Sequence, residues 1–211
     1  MGSIQFKVCG ITNLDQAATL ETMGVQYIGF IFYPGSKRYV LNYLTTLALA
    51  GFKPVHAKKV GVFVNEPLEK LLQIVKDAGL DMVQLHGEED TAYCIEVEKV
   101  VPVIKVFRVG GLLPDFSAFE TAVSYFLFDT DSTMYGGTGT HFNWELIKGT
   151  MIPKPYFLSG GIGPNDEQGI KVLMNSKAGE SLLVLDLNSQ FETAPGIKNL
   201  EKIKTFIDVC I

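Results

Sequence analysis

Cys9 closes an apolar run at residues 4–9 and stands directly before Gly10. Free cysteines are most often buried apolar filler. A sulfur at the end of such a run is also placed to react, but as a base it must become the thiolate, which needs a cationic neighbour or a helix N-terminus. Asp129 follows the run Tyr125-Phe126-Leu127-Phe128. Its carboxyl has two readings, a cap for the loop that follows or a general acid between apolar walls. Arg38, beside Lys37, is either a solvated loop charge or a planar fork for a substrate carboxylate. Ser159-Gly160-Gly161 exposes backbone N–H groups with no side chain in the way, either a plain turn or an anion cradle leading into a helix.

These groups need elements that bring them together. Apolar runs at residues 4–9, 27–32, 60–64, 82–85, 103–106, 125–128, 156–158 and 182–187 alternate with helix-period segments. Runs apolar at nearly every position, such as 27–32, suit strands buried on both faces. Strict alternation implies parallel strands joined by crossovers, and about eight units in one chain of this length fits a closed (β/α)8 barrel. The reading is one barrel domain over residues 1–211. An open doubly wound sheet is the rival, but the Gly-x-Gly-x-x-Gly turn expected after its first strand is missing.

Helices are expected from an Asn13 cap to Gly24, at 41–50, from Pro67 to Gly79, at 92–97, 116–123 and 144–147, from an Asn165 cap to Met174, and at 200–209. In a barrel of this kind chemistry gathers where the strands end. Those ends read Lys7-Val8-Cys9-Gly10, Gln84-Leu85-His86-Gly87, Asp129-Thr130-Asp131, Ser159-Gly160-Gly161 and Asp186-Leu187-Asn188-Ser189. The loops after strands seven and eight commonly hold a phosphate. His86 reads as a hydrogen-bonded structural histidine, and Gly136–Gly139 as a loop that closes over a substrate.

Composition narrows the classes. Eighteen Lys and Arg against 23 Asp and Glu give a net charge of −5, which argues against a nucleic-acid binder. No apolar run approaches the roughly 18 residues that span a bilayer. The three cysteines, Cys9, Cys94 and Cys210, form neither a disulfide framework nor a paired zinc motif, so a reduced, cytoplasmic setting is expected. Asp129, Asp131 and His86 lack metal-ligand spacing, and no metal or cofactor is expected. The sequence leaves oligomeric state open, a homo-oligomer included.

The strand-end blocks, taken in order, resemble the phosphoribosylanthranilate isomerases. They are Lys7-Val8-Cys9-Gly10-Ile11-Thr12, Gly29-Phe30-Ile31-Phe32, Ser36-Lys37-Arg38-Tyr39-Val40, Val60-Gly61-Val62-Phe63, Val83-Gln84-Leu85-His86-Gly87, Phe128-Asp129-Thr130, Gly136-Gly137-Thr138-Gly139 with Phe142 and Trp144, Leu158-Ser159-Gly160-Gly161, Asp186-Leu187-Asn188-Ser189 and Pro195-Gly196-Ile197-Lys198. The resemblance implies a (β/α)8 barrel of tryptophan biosynthesis. Its reaction is the Amadori rearrangement of N-(5-phosphoribosyl)anthranilate to 1-(2-carboxyphenylamino)-1-deoxyribulose 5-phosphate, without cofactor or metal. It implies Cys9 as general base, Asp129 as general acid, Arg38 as the anthranilate-recognising residue, and Gly160, Gly161, Asn188 and Ser189 as phosphate contacts.

Two positions depart from the family pattern. Gln190 stands where glycine is frequent, and Asn199 where aspartate is frequent after Lys198. The first bears on how closely backbone approaches a phosphate; the second reads as a helix cap. Other phosphosugar barrels match the residues less well. An epimerase needs metal-ligating His and Asp at several strand ends, and an indoleglycerol-phosphate synthase needs strand-end lysines with accompanying carboxylates, of which Lys7 and Lys105 offer only the lysines. An inactive phosphate-binding barrel is the reading from outside enzymology, and the presence of both Cys9 and Asp129 argues against it.

Overall fold

A computed structural model of the chain describes residues 3–130 and 143–210. Eight parallel strands close into a barrel in sequence order: β1 (Gln5–Val8), β2 (Tyr27–Ile31), β3 (Lys58–Phe63), β4 (Met82–Leu85), β5 (Val103–Val109), β6 (Tyr125–Thr130), β7 (Tyr156–Leu158) and β8 (Leu182–Leu187). The ring shuts between β8 and β1, where Lys7 stands opposite Asp186 and Val8 opposite Leu187. Helices α1 (Leu14–Thr22), α2 (Thr46–Gly51), α3 (Leu68–Ala78), α4 (Thr91–Glu98), α5 (Glu145–Lys148), α6 (Glu167–Met174) and α7 (Leu200–Cys210) cover the outside. A short antiparallel pair, β9 (Glu192–Ala194) and β10 (Ile197–Lys198), follows β8 and has no counterpart in the sequence reading.

Strand alternation sorts the core into two layers. Tyr27, Val60, Met82, Ile104, Val106, Leu127, Phe157 and Val184 fill the barrel interior. Their neighbours along the same strands, among them Phe6, Val8, Phe30, Val83, Leu85, Phe126, Phe128, Leu185 and Leu187, face outward and pack with Leu20, Leu71, Val97 and Ile203 of the helices. By that parity Lys7 and Cys9, Gln84 and His86, Asp129 and Asp186 turn inward, above the apolar plug.

Three helix expectations are corrected. Residues 116–123 carry only a 3-10 turn, Ser117–Phe119. Phe116 and Phe119 fill the space against Phe107, with Phe116 also on Phe126 and Phe128, so aromatic rings rather than a helix cover β5 and β6. The segment at 41–50 divides into a 3-10 turn, Val40–Asn42, and α2, because the Thr45 hydroxyl accepts from the Ala48 N–H at 3.1 Å and starts a new helix. Helix α6 begins after Asp166 rather than at Asn165, and the Asp166 carboxylate ties back to the Gly163 N–H at 2.7 Å. The Asn13 cap holds, accepting from Asp15 and Gln16 N–H at 2.8 and 3.1 Å. Asn199 also caps, accepting from the Lys202 N–H at 3.0 Å.

Candidate active site

Cys9 lies just past β1 at the C-terminal mouth of the barrel, its backbone N–H held by the Leu187 carbonyl at 2.9 Å. The sulfur has room because β2 presents Gly29 beside it: a Cβ on Gly29 would come 2.9 Å from Sγ. Cys9 is 4% exposed. Burial pushes its thiol up from the ordinary value, while the positive charges of Lys7 and Lys198 work against that rise. The cationic neighbours that a thiolate needs are therefore present, and burial outweighs them.

Lys7, two residues earlier on the same inward row, is fully buried and pairs with Asp186 at 2.7 Å. Burial disfavours the Lys7 ammonium, but the Asp186 carboxylate overcomes it and raises Lys7 above its ordinary value. The second oxygen of Asp186, Oδ1, is buried without a hydrogen-bond partner among the described residues. Asp186 also feels the charges of Asp129 and His86, so it links the two sides of the mouth electrostatically. Lys105 has the opposite parity. It points out of the interior to the Glu89 carboxylate at 3.0 Å and the Gly87 carbonyl at 2.9 Å, fastening the loop after β4.

Asp129 stands on β6, separated from β1 by β7 and β8 in the ring. Its Oδ1 accepts from the Thr130 N–H at 2.8 Å, and its Oδ2 meets His86 Nε2 at 3.2 Å. His86 Nδ1 in turn faces Gln84 Nε2 at 3.0 Å. With the Gln84 amide donating to Nδ1, the neutral ring carries its proton on Nε2 and donates it to Asp129. The expected structural histidine is thus hydrogen-bonded, and its partner is the proposed acid itself.

Gly160 and Gly161 follow β7 with φ of +84° and +80°. Left-handed backbone at both positions favours glycine, and a Cβ on Gly160 would come 2.7 Å from Asp129 Oδ1. The same loop packs on the turn after β8, where Gln190 lies beside Gly163. The Gln190 side chain thus stands where the two loops expected to share the phosphate meet, a place where a glycine would leave open backbone. That turn holds Asn188 and the 3-10 segment Ser189–Phe191. Asn188 Oδ1 accepts from Lys198 Nζ at 2.9 Å.

The stem of Arg38 lies over Gly10, where a Cβ would come 2.6 Å from its Cδ. Its guanidinium is taken on one side by Glu192, with Nε at 2.9 and 3.0 Å and Nη2 at 2.6 Å from the carboxylate oxygens. Cys9, Asp129, Arg38, Gly160, Gly161, Asn188 and Ser189 all belong to the C-terminal ends of strands or the loops that leave them. Gly136–Gly139 and Asp131 lie outside the described residues. The sequence reading placed Asp186 and Lys7 at strand ends and named Lys198 but gave none of the three a role in the site, and it did not single out Glu192. Strand parity was the available signal for Lys7 and Asp186; no local pattern marks Glu192.

Residues 6–209 match the family model described as N-(5'phosphoribosyl)anthranilate (PRA) isomerase. An N-(5'-phosphoribosyl)anthranilate isomerase of Parabacteroides distasonis is 37% identical over 206 residues, 95% of this chain and 90% of that one. The phosphoribosyl anthranilate isomerase structure from Thermotoga maritima superposes with a TM-score of 0.78 at 34% identity, covering 98% of both chains. A phosphoribosyl anthranilate isomerase solved in complex with reduced 1-(o-carboxyphenylamino)-1-deoxyribulose 5-phosphate gives 0.73 at 31% identity, again over 98% of both chains.

Proposed function

Since this chain belongs to the N-(5'-phosphoribosyl)anthranilate isomerase family, we propose that its barrel mouth performs the Amadori rearrangement of tryptophan biosynthesis with Asp129 as acid and Cys9 as base. The observation that carries the reading is one of parity and position: both groups occupy inward-facing places at the C-terminal mouth, with Asp186 within electrostatic reach of each.

In the proposed sequence Asp129, protonated, gives its proton to the furanose ring oxygen. The C1′–O4′ bond breaks and the anthranilate nitrogen's lone pair forms the C1′=N⁺ bond. The Cys9 thiolate then takes the C2′ proton. The C–H electrons become a C1′=C2′ bond and the C=N⁺ electrons return to nitrogen. The resulting enolamine loses its enol proton and gains one at C1′, giving the ketose. Asp129 ends ionised and Cys9 protonated, and return of one proton through solvent resets the pair. The protonated imine is the electron sink, so the step draws only on the substrate and these two side chains.

His86 and the Thr130 N–H fix the Asp129 carboxyl, so the acid starts from one orientation. The left-handed turn at Gly160 and Gly161 and the turn at Asn188 and Ser189 offer the phosphate a cradle across two adjacent loops. That grip supplies binding energy remote from the reacting carbons. Arg38 takes the aryl carboxylate. The ligand of this reading is a small phosphosugar-anthranilate, the setting cytoplasmic; no described helix is long and apolar enough to cross a membrane. Loss of anthranilate-substrate fluorescence on adding the protein tests the activity, and unchanged fluorescence overturns it.

A further inference from the structure

Arg38 does not wait in the mouth with a free fork. Glu192, on the β9–β10 hairpin, occupies its Nε and Nη2 side through the contacts described above, while Nη1 has no partner among the described residues. A guanidinium has two bidentate edges, one made by Nε with Nη2 and one by Nη1 with Nη2. Glu192 consumes the first and leaves the second. The Glu192 carboxylate is itself locked: its Oε1 accepts from Lys198 Nζ at 2.7 Å and from the Gly196 N–H at 3.0 Å. Lys198 Nζ also reaches Asn188 on the turn assigned to phosphate. The hairpin is pinned to the loop after β1 by Thr12 Oγ1 donating to the Gly196 carbonyl at 2.8 Å.

Resting on the isomerase reading above, we propose that Glu192 is a positioning residue for recognition of the aryl carboxylate: it turns Arg38 so that the Nη1/Nη2 edge meets that group. Arg38, Lys198 and Glu192 together carry a single net positive charge, which suits an anionic ligand. Two cations alone would attract that ligand more strongly. A carboxylate placed between them therefore makes sense as geometry rather than as attraction. Glu192 is held below its ordinary range despite burial, because Arg38 and Lys198 donate to it, so it is ionised where the enzyme works.

The test compares wild type with E192A and E192Q, each first checked for folding by circular dichroism. E192A is expected to raise KM for N-(5-phosphoribosyl)anthranilate about tenfold or more while kcat changes less than about threefold, the signature of lost ground-state binding. Inhibition by ribose 5-phosphate, which lacks the aryl carboxylate, should stay within about twofold. E192Q sets an amide N–H against the Arg38 donors and should also raise KM; it decides the matter if E192A does not fold. An unchanged KM in the folded variant overturns the role of Glu192. A lowered KM does so too, because it would mean that the carboxylate only offsets charge. Absence of turnover in wild type would instead overturn the isomerase reading.

Discussion

His86 Nε2 lies 3.2 Å from Asp129 Oδ2, and Gln84 Nε2 lies 3.0 Å behind on Nδ1 of the same ring. The proposed acid is therefore oriented by a histidine that sits just past the end of β4, two residues beyond the inward-facing Gln84. Replacing Asp129 with Asn keeps the shape and removes the transferable proton. D129N should lower kcat by about 10²–10⁴-fold with KM little changed, read by steady-state fluorescence. Near-normal kcat would remove Asp129 from the acid role.

Gly160 tests the same carboxyl from the other side. Alanine there meets a left-handed backbone and would press its Cβ against Asp129 Oδ1 and Thr130. G160A should lose kcat through a displaced acid and destabilise the fold by about 1–3 kcal/mol. Wild-type kinetics and melting temperature in G160A would contradict the close approach.

The pH dependence follows from Cys9. Its thiol is raised by burial above an ordinary value of 9.0, and the active form of a base is the ionised one. The thiolate population therefore grows with pH through the neutral range and beyond 9.0. The acid must keep its proton while Cys9 gives up its own, so the two requirements oppose each other: kcat/KM should hold a plateau through the neutral range and fall once pH passes the raised thiol, and C9S should remove most of the turnover at every pH. A C9S variant with near-normal turnover would separate Cys9 from the proton abstraction.

Lys7 and Asp186 form a buried pair whose members cost little together and much apart. K7M leaves an uncompensated carboxylate in the barrel and should destabilise by about 3–5 kcal/mol, whereas K7M with D186L should recover most of that loss in chemical denaturation. Activity separates the two roles. The double variant removes two opposing charges on Cys9, and Lys7, which favours the thiolate, is the larger of them over Asp186, so the stable double variant should remain slow and its thiolate should form at higher pH. A double variant with wild-type rate would confine Lys7 to stability.

The barrel was legible in the chain because its cause is local and repeated. Apolar runs buried on both faces have to alternate with crossover helices, and Asn13 caps α1 through contacts within the next three residues. Strand ends could be located for the same reason, which is why Cys9, Asp129 and the Gly160-Gly161 turn stood out. Only the closed ring decided what these groups touch. The pairing of Lys7 with Asp186 joins residues 179 apart, and Arg38 meets Glu192 across 154. Strand parity turns Lys7 and Asp186 inward, but nothing near either residue names its partner, and no local pattern marks Glu192. Side-chain charges at such separations interact only after β8 has closed on β1 and the following hairpin has folded back over the mouth. The chain thus specified which chemical groups would stand at the rim, while tertiary closure set their neighbours and, through burial and charge, how readily each holds or yields a proton.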